Sequence, residues 1–127
     1  MKIIVWMASA AQVEKKLLYL NSVMEKLTKT DQLGQSAAMA YAQCMRAQVH
    51  LDCHNLELAK MDIQQAKAIA AAITYELPAS AWIILADAEE TSGNVSAAME
   101  AWRELANTHP SYTTKVAKEV KRLQLLV

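Results

Sequence analysis

A chain of 127 residues with 13 basic and 13 acidic side chains, two glycines, two prolines and two cysteines is long enough to bury one core without disulfide or metal staples. Abundant Ala, Leu, Met, Gln and Glu beside so few helix breakers point to one all-α domain, residues 1–127, of about six helices. A formal net charge of zero supplies no field to recruit nucleic acid or an anionic membrane, and no apolar run reaches the ~18 residues of a transmembrane helix.

The first predicted helix covers residues 10–28, with Val13, Leu17, Leu20, Met24 and Leu27 at alternating spacings of four and three. Such a narrow seam is expected to pack on the next helix, a dimerising coiled coil being the alternative. Just before it, Lys2, the apolar Ile3 to Met7 and then Ala8-Ser9-Ala10 have the order of a secretory signal, but the apolar stretch falls short of the usual ~7 to 15 residues. A linker is expected from Thr28 to Gln35, around Thr30, Asp31 and Gly34. The second helix spans about Ser36 to Leu51, its inner face built from Ala37, Tyr41, Cys44 and Gln48 or Leu51. Asp52 to Asn55 form a turn. Asn55 is placed to cap a third helix that faces Ala59, Ile63, Ala66, Ala70 and Ile73 inward and runs to about Glu76, where Leu77-Pro78 ends it.

Between Pro78 and Gly93, Trp82, Leu85, Ala86 and Ala88 recur on one face of a short helix that Ser80 is placed to cap. Gly93 and Asn94 tolerate the left-handed backbone that closes it, and Ser96 is placed to cap the next helix, which carries Ala98, Trp102 and Leu105. His109-Pro110 stops that helix. The last predicted helix, Ser111 to about Leu126, has Tyr112, Val116, Val120, Leu123 and Val127 on one side and Lys115, Lys118, Lys121 and Arg122 on a solvated outer side.

The series Trp82, Leu85, Ala86, Gly93, Ala98, Trp102 and Pro110, within Ala79 to Pro110, resembles the tetratricopeptide repeat. It departs from the pattern at Glu89, where Tyr is usual, and at Leu105, where a later Ala is usual. A weaker copy lies 32 residues upstream, where Ala66, Ala70, Ile73 and Pro78 stand in for Ala98, Trp102, Leu105 and Pro110. The same shift sets His50 under Trp82 and Cys53 under Leu85, so the upstream pair needs longer helices or an insertion. Residues 36–78 thus read as a degenerate repeat, 79–110 as a good one and 111–127 as a capping helix. The resemblance implies antiparallel pairs in a short right-handed superhelical array with an extra N-terminal helix. It also implies a non-catalytic protein–protein interaction module, such as an adaptor, assembly factor or small chaperone, that holds a peptide or helix of another protein. The alternatives are a self-associating structural module, forming a homodimer, or a fragment of a longer array.

In that register Ser80, Ile83, Asp87, Glu90 and Thr91 line the concave side. Asp87 and Ile83 stand where the best-known carboxylate-binding variant of the family places cationic and amide groups, which disfavours that ligand. Trp82-Ile83-Ile84-Leu85 cannot all face one core, because a helix turns them through most of a circle. With Ile83 exposed, the groove is apolar with an acidic flank from Asp87 and Glu90, suited to a basic amphipathic helix. Met39, Met45 and Met61 offer either adaptable surface or core filler.

Other chemistry is thinly represented. His50, Cys53 and His54 have metal-ligand spacing but no evident fourth ligand, and the adjacent carboxylates Glu89 and Glu90 diverge on a helix. There is no Gly-rich phosphate loop. Cys44 and Cys53 fall on different helix faces, so reduced thiols in a cytoplasmic protein are expected. Neither an enzyme, a metal nor a cofactor is anticipated.

Overall fold

A computed structural model describes the backbone of residues 2–28 and 33–126 and the side chains of residues 12–28 and 36–126. The chain folds as helices α1 (Lys2–Leu27), α2 (Leu33–Asp52), α3 (Leu56–Ile73), α4 (Ala79–Thr91), α5 (Val95–Thr108) and α6 (Thr113–Gln124), with a 3-10 turn at Pro110–Tyr112. No strand occurs among the described residues, so the all-α expectation and its six helices stand. Each helix packs on its neighbours in sequence, and α2 also touches α4. Across α2 and α3, Gln43 meets Gln65 while Arg46 meets Asp62, so one helix ascends as the other descends. Across α4 and α5, Trp82 meets Glu104 while Glu89 meets Asn94 in the same reversed order.

Alanine carries much of the core. Ala40, Ala47, Ala59, Ala66, Ala81, Ala86, Ala88 and Ala98 are all fully buried, and a helix with Ala on its contact face approaches its neighbour closely. The larger fillers are Ile63, Leu105 and Leu123, which are sealed from solvent, with Trp82 and Trp102 beside them. Leu20 and Met24 of the α1 seam are buried, with Val13, Leu17, Val23 and Leu27 half-buried, and α1 packs on α2. That seam is therefore used within the chain rather than left free for a coiled coil. On α6, Val116 and Leu123 are buried and Val120 half-buried, as is Tyr112 in the 3-10 turn before it, whereas Lys115, Lys118 and Lys121 are exposed.

Several boundary and facing expectations change. Helix α1 starts at Lys2 instead of residue 10, and α2 already includes Gly34, so the linker is shorter than Thr28 to Gln35. Its residues Thr30 and Asp31, like Val127, lie outside the described residues, as do the side chains of Lys2 to Ala10. Of the expected inner face of α2, Cys44 is buried and Ala37 and Leu51 are half-buried, but Tyr41 and Gln48 are exposed, and Ala40 and Ala47 take the buried places beside Cys44. The difference follows from α2 being covered by α1, α3 and α4, which leaves the Tyr41 side as its open one. Helix α3 ends at Ile73, three residues early, where Thr74 adopts φ 54° and its N–H bonds to Ala70 O. Pro78 instead opens α4, with Leu77 buried ahead of it.

Asn55, Ser80 and Ser96 are not the side-chain caps they were expected to be: Pro78 and Asn94 hold the N-cap places of α4 and α5, and neither Asn55 nor these two makes a side-chain cap bond. Ser80 and Ser96 lie inside their helices. The closing turn is as expected at Gly93, which has φ 86°, although Asn94 does not share the left-handed conformation. The longer upstream pair explains the broken echo: α2 and α3 have 20 and 18 residues, α4 and α5 only 13 and 14.

Nothing lies within 4 Å of a Cβ built on Gly93, so its substitution is governed by backbone conformation alone. Gly93→Ala is expected to lower stability by about 1 kcal/mol, and Gly93→Asn by less, in urea unfolding curves with unchanged slope. Equal stability of all three proteins would show that the left-handed turn is not required.

Candidate interaction surface

The α4 face is set by which of its residues the core consumes. Ala81, Trp82, Ile84, Leu85, Ala86 and Ala88 are buried, because α4 is packed against α2, α3 and α5 together. Ser80, Asp87 and Thr91 remain exposed on the opposite side. Ile83 is partly buried against the core, and Ile84 is only 2% exposed. Of the four consecutive apolar residues, Ile83 alone reaches the outer face, and only in part.

Glu90 is engaged. Both of its oxygens accept from the Arg122 guanidinium, at 2.7 Å each, and Arg122 also donates to Glu119. The Arg122 hydrogen bond holds the Glu90 carboxyl below the usual carboxylate range. The acidic flank expected from Asp87 and Glu90 is therefore carried by Asp87, while Glu90 ties α4 to α6. Glu89 turns the other way, with Lys60 Nζ at 3.0 Å and the Asn94 side-chain amide donating to it. The two adjacent carboxylates serve two different helix contacts.

Trp82 does more than fill space. Its indole N–H donates to Glu104 at 3.0 Å, and Lys67 Nζ lies 3.1 Å from the same oxygen. Burial works to raise the Glu104 carboxyl, but the bonds from Trp82 and Lys67 outweigh it and hold it low. One carboxylate thus joins α3, α4 and α5. His109, past the end of α5, tilts against Trp82 at 5.7 Å and meets Tyr112 edge-on at 6.3 Å.

A second polar cluster went unrecognised in the sequence. Asp62, 3% exposed, accepts from Arg46 Nε at 2.9 Å and Nη2 at 2.6 Å, a bidentate pair. Arg46 Nη1 reaches Asn21 Oδ1 at 2.8 Å, linking α1, α2 and α3 through one guanidinium. The bond to Asp62 raises the Arg46 pKa. His50 Nε2 lies 3.7 Å from Asp62, and its Nδ1 is buried without a partner, as is Gln43 Oε1. Arg46 and His50 share a helix face at a spacing of four, but nothing in one sequence pairs them with Asp62.

The residues with metal-ligand spacing are not brought together: His50 faces Asp62, while Cys53 and His54 are exposed in the turn. Among the described residues no group of three or more His, Cys, Asp or Glu side chains is placed to hold a metal. Cys44 is buried and Cys53 exposed, neither in a disulfide; burial, with Asp62 adding to it, pushes the Cys44 thiol up to about 11, which keeps it protonated. No helix among the described residues is long and apolar enough to cross a membrane. Comparison with known proteins finds no matching family model, curated protein or solved structure.

Burial pushes the His50 imidazole below its ordinary 6.5; Asp62 partly opposes this and Arg46 adds to it. The folded chain then binds fewer protons than the unfolded one, so the His50 contribution is full above pH 6.5 and lost as pH falls from there through the folded value. His50→Gln is expected to flatten the stability–pH curve in that window, measured by urea unfolding at stepped pH; an unaltered curve would remove His50 from the account. Asp62→Asn, which leaves Arg46 unpaired, is expected to cost about 3 kcal/mol at pH 7.

Proposed function

We propose that this chain is a non-catalytic interaction module, tetratricopeptide-like in its helix pairing and superhelical path, that holds a peptide or amphipathic helix of another protein on the α4 face. The observation that carries the reading is Asp87 standing exposed beside the half-buried Ile83, with Ser80 and Thr91 open on either side. A partly exposed isoleucine with a carboxylate next to it that has no ion pair among the described residues suits a helix with one apolar and one basic side. The packing of α2 against both α3 and α4, with Trp82, Ala86, Ala98 and Trp102 in the seams between helices, supports the repeat-like reading. A role as adaptor, assembly factor or small chaperone follows from such a surface. The two unbridged cysteines favour the cytoplasm as its setting.

The α1 seam faces α2, so self-association through that seam is not favoured, and the adaptor reading takes precedence. Ile83→Asp is a poor discriminator, because Ile83 packs partly on the core and its loss lowers stability as well as capture. Asp87→Lys is cleaner. The probes are two helical peptides with the same leucine stripe, one with lysines and one with glutamates on the polar side. The lysine peptide is expected to bind and Asp87→Lys to weaken it about tenfold, with stability unchanged within ~0.5 kcal/mol, measured by calorimetric titration and urea unfolding. Equal binding of both peptides, or no effect of Asp87→Lys, would contradict the reading.

A further inference from the structure

We infer that the groove between α1 and α2 is a receptor for one more helix, supplied by a partner protein. This groove is separate from the α4 face, and the way the chain stacks points to it. Helix α3 packs between α2 and α4, and α5 between α4 and α6; among the described residues α1 packs on α2 alone. In the first of these triples the outer helices, α2 and α4, also touch each other. Repeating that triangle one step nearer the N-terminus requires a helix that touches both α1 and α2.

The place for it is open. A groove of about 310 Å³ runs between Lys16, Tyr19 and Leu20 on α1 and Met45, Val49 and Asp52 on α2. Tyr19 is 69% exposed and Met45 46%, whereas α4 and α5 leave no large apolar residue exposed. Two large apolar residues thus line the open groove, as Leu58 and Met61 stand exposed on α3. Tyr41, one turn from Met45 on α2, extends the apolar strip at 49% exposure.

The chemistry of the occupant follows from the lining. Tyr and Met at the centre require an apolar stripe, and the unbranched thioether adapts to its shape. Lys16 has no ion-pair partner among the described residues, and Asp52 accepts a single bond there, from Gln48. Both stand at the end of the groove where α2 finishes. Since α3 is antiparallel to α2 and α4 alike, α4 runs parallel to α2, and a helix placed by the same rule also runs parallel to it. Its C-terminal turn then meets Lys16 and Asp52 and carries one acidic and one basic residue. The chain uses the same device where α4 ends, with Glu89 against Lys60.

The test uses the full chain labelled with ¹³C at its methionine methyl groups and three synthetic helical peptides of about four turns, ~14 residues. The first has a leucine stripe with Glu and Arg in the last turn, the second has both charges replaced by Ala, and the third has the stripe replaced by Gln. The first peptide is expected to move the Met45 methyl signal saturably while leaving that of Met61, exposed on α3, in place. Removing the peptide charges is expected to weaken binding roughly threefold to tenfold, and Lys16→Glu likewise. Tyr19→Lys, at an exposed position, is expected to abolish the shift while the spectrum of the remaining methyls stays folded. Equal binding of the Gln peptide, movement of Met61 without Met45, or no saturable shift with any peptide would overturn the proposal. Because Asp87→Lys changes the α4 face alone, loss of the groove signal and loss of capture at α4 are read separately.

Discussion

Close approach of helices through alanine is the constraint on which this structure depends. The chain has no phenylalanine, and among the described residues Ile63, Leu105 and Leu123 are the large side chains sealed from solvent, with Trp82, Ile84, Leu85 and Trp102 nearly so; these fill the core, while helix spacing is left to smaller residues. Fully buried alanines set it instead: Ala40 and Ala47 on α2, Ala59 and Ala66 on α3, Ala81, Ala86 and Ala88 on α4, and Ala98 on α5. Backbones held this close gain dispersion contacts along their length, but each alanine buries little apolar area. The helices are therefore held by many small contacts, with the polar ties placed at the edges of the seams.

Those ties explain which charges remain for function. Arg46, Asp62 and Asn21 join α1, α2 and α3; Lys67, Glu104 and Trp82 join α3, α4 and α5; Arg122 and Glu90 join α4 and α6. Each consumes a charge that the sequence alone offers to solvent. Asp87, Asp52 and Lys16 lie outside these ties, and they border the two surfaces assigned to partners. Burial follows the same division: α4 is covered on three sides and presents a narrow strip, whereas α1 and α2 leave an open groove between them.

The fold was legible where the signal was periodic. The α1 seam, the Ala59–Ile63–Ala66–Ala70 stripe and the pair Ala98 and Trp102 could be read from spacing, because each of these helices hides one continuous face. Helix α2 was misread because three neighbours cover it, so its buried residues occupy more than one stripe and Tyr41 looked as inward as Cys44. The serine caps failed for a different reason: proline and asparagine just ahead of them already turn the chain into α4 and α5. Ser80, Asp87 and Thr91 could be placed on the outer face by helical phase alone. The commitment of Glu90 to Arg122, 32 residues away, and the Arg46–Asp62 pair needed three-dimensional proximity that no local pattern encodes. The groove beside Tyr19 and Met45 was equally hidden, since it exists only through the relative placement of two helices.

If alanine-mediated approach holds the stack together, enlarging one seam residue must cost far more than enlarging an exposed one. Equilibrium unfolding in urea of Ala98→Leu, at the α5 seam, against Ala68→Leu, exposed on α3, tests this directly. The account predicts a loss of about 1–3 kcal/mol for Ala98→Leu and a change within ~0.5 kcal/mol for Ala68→Leu. Equal stability of the two variants, or a gain at Ala98, would contradict it.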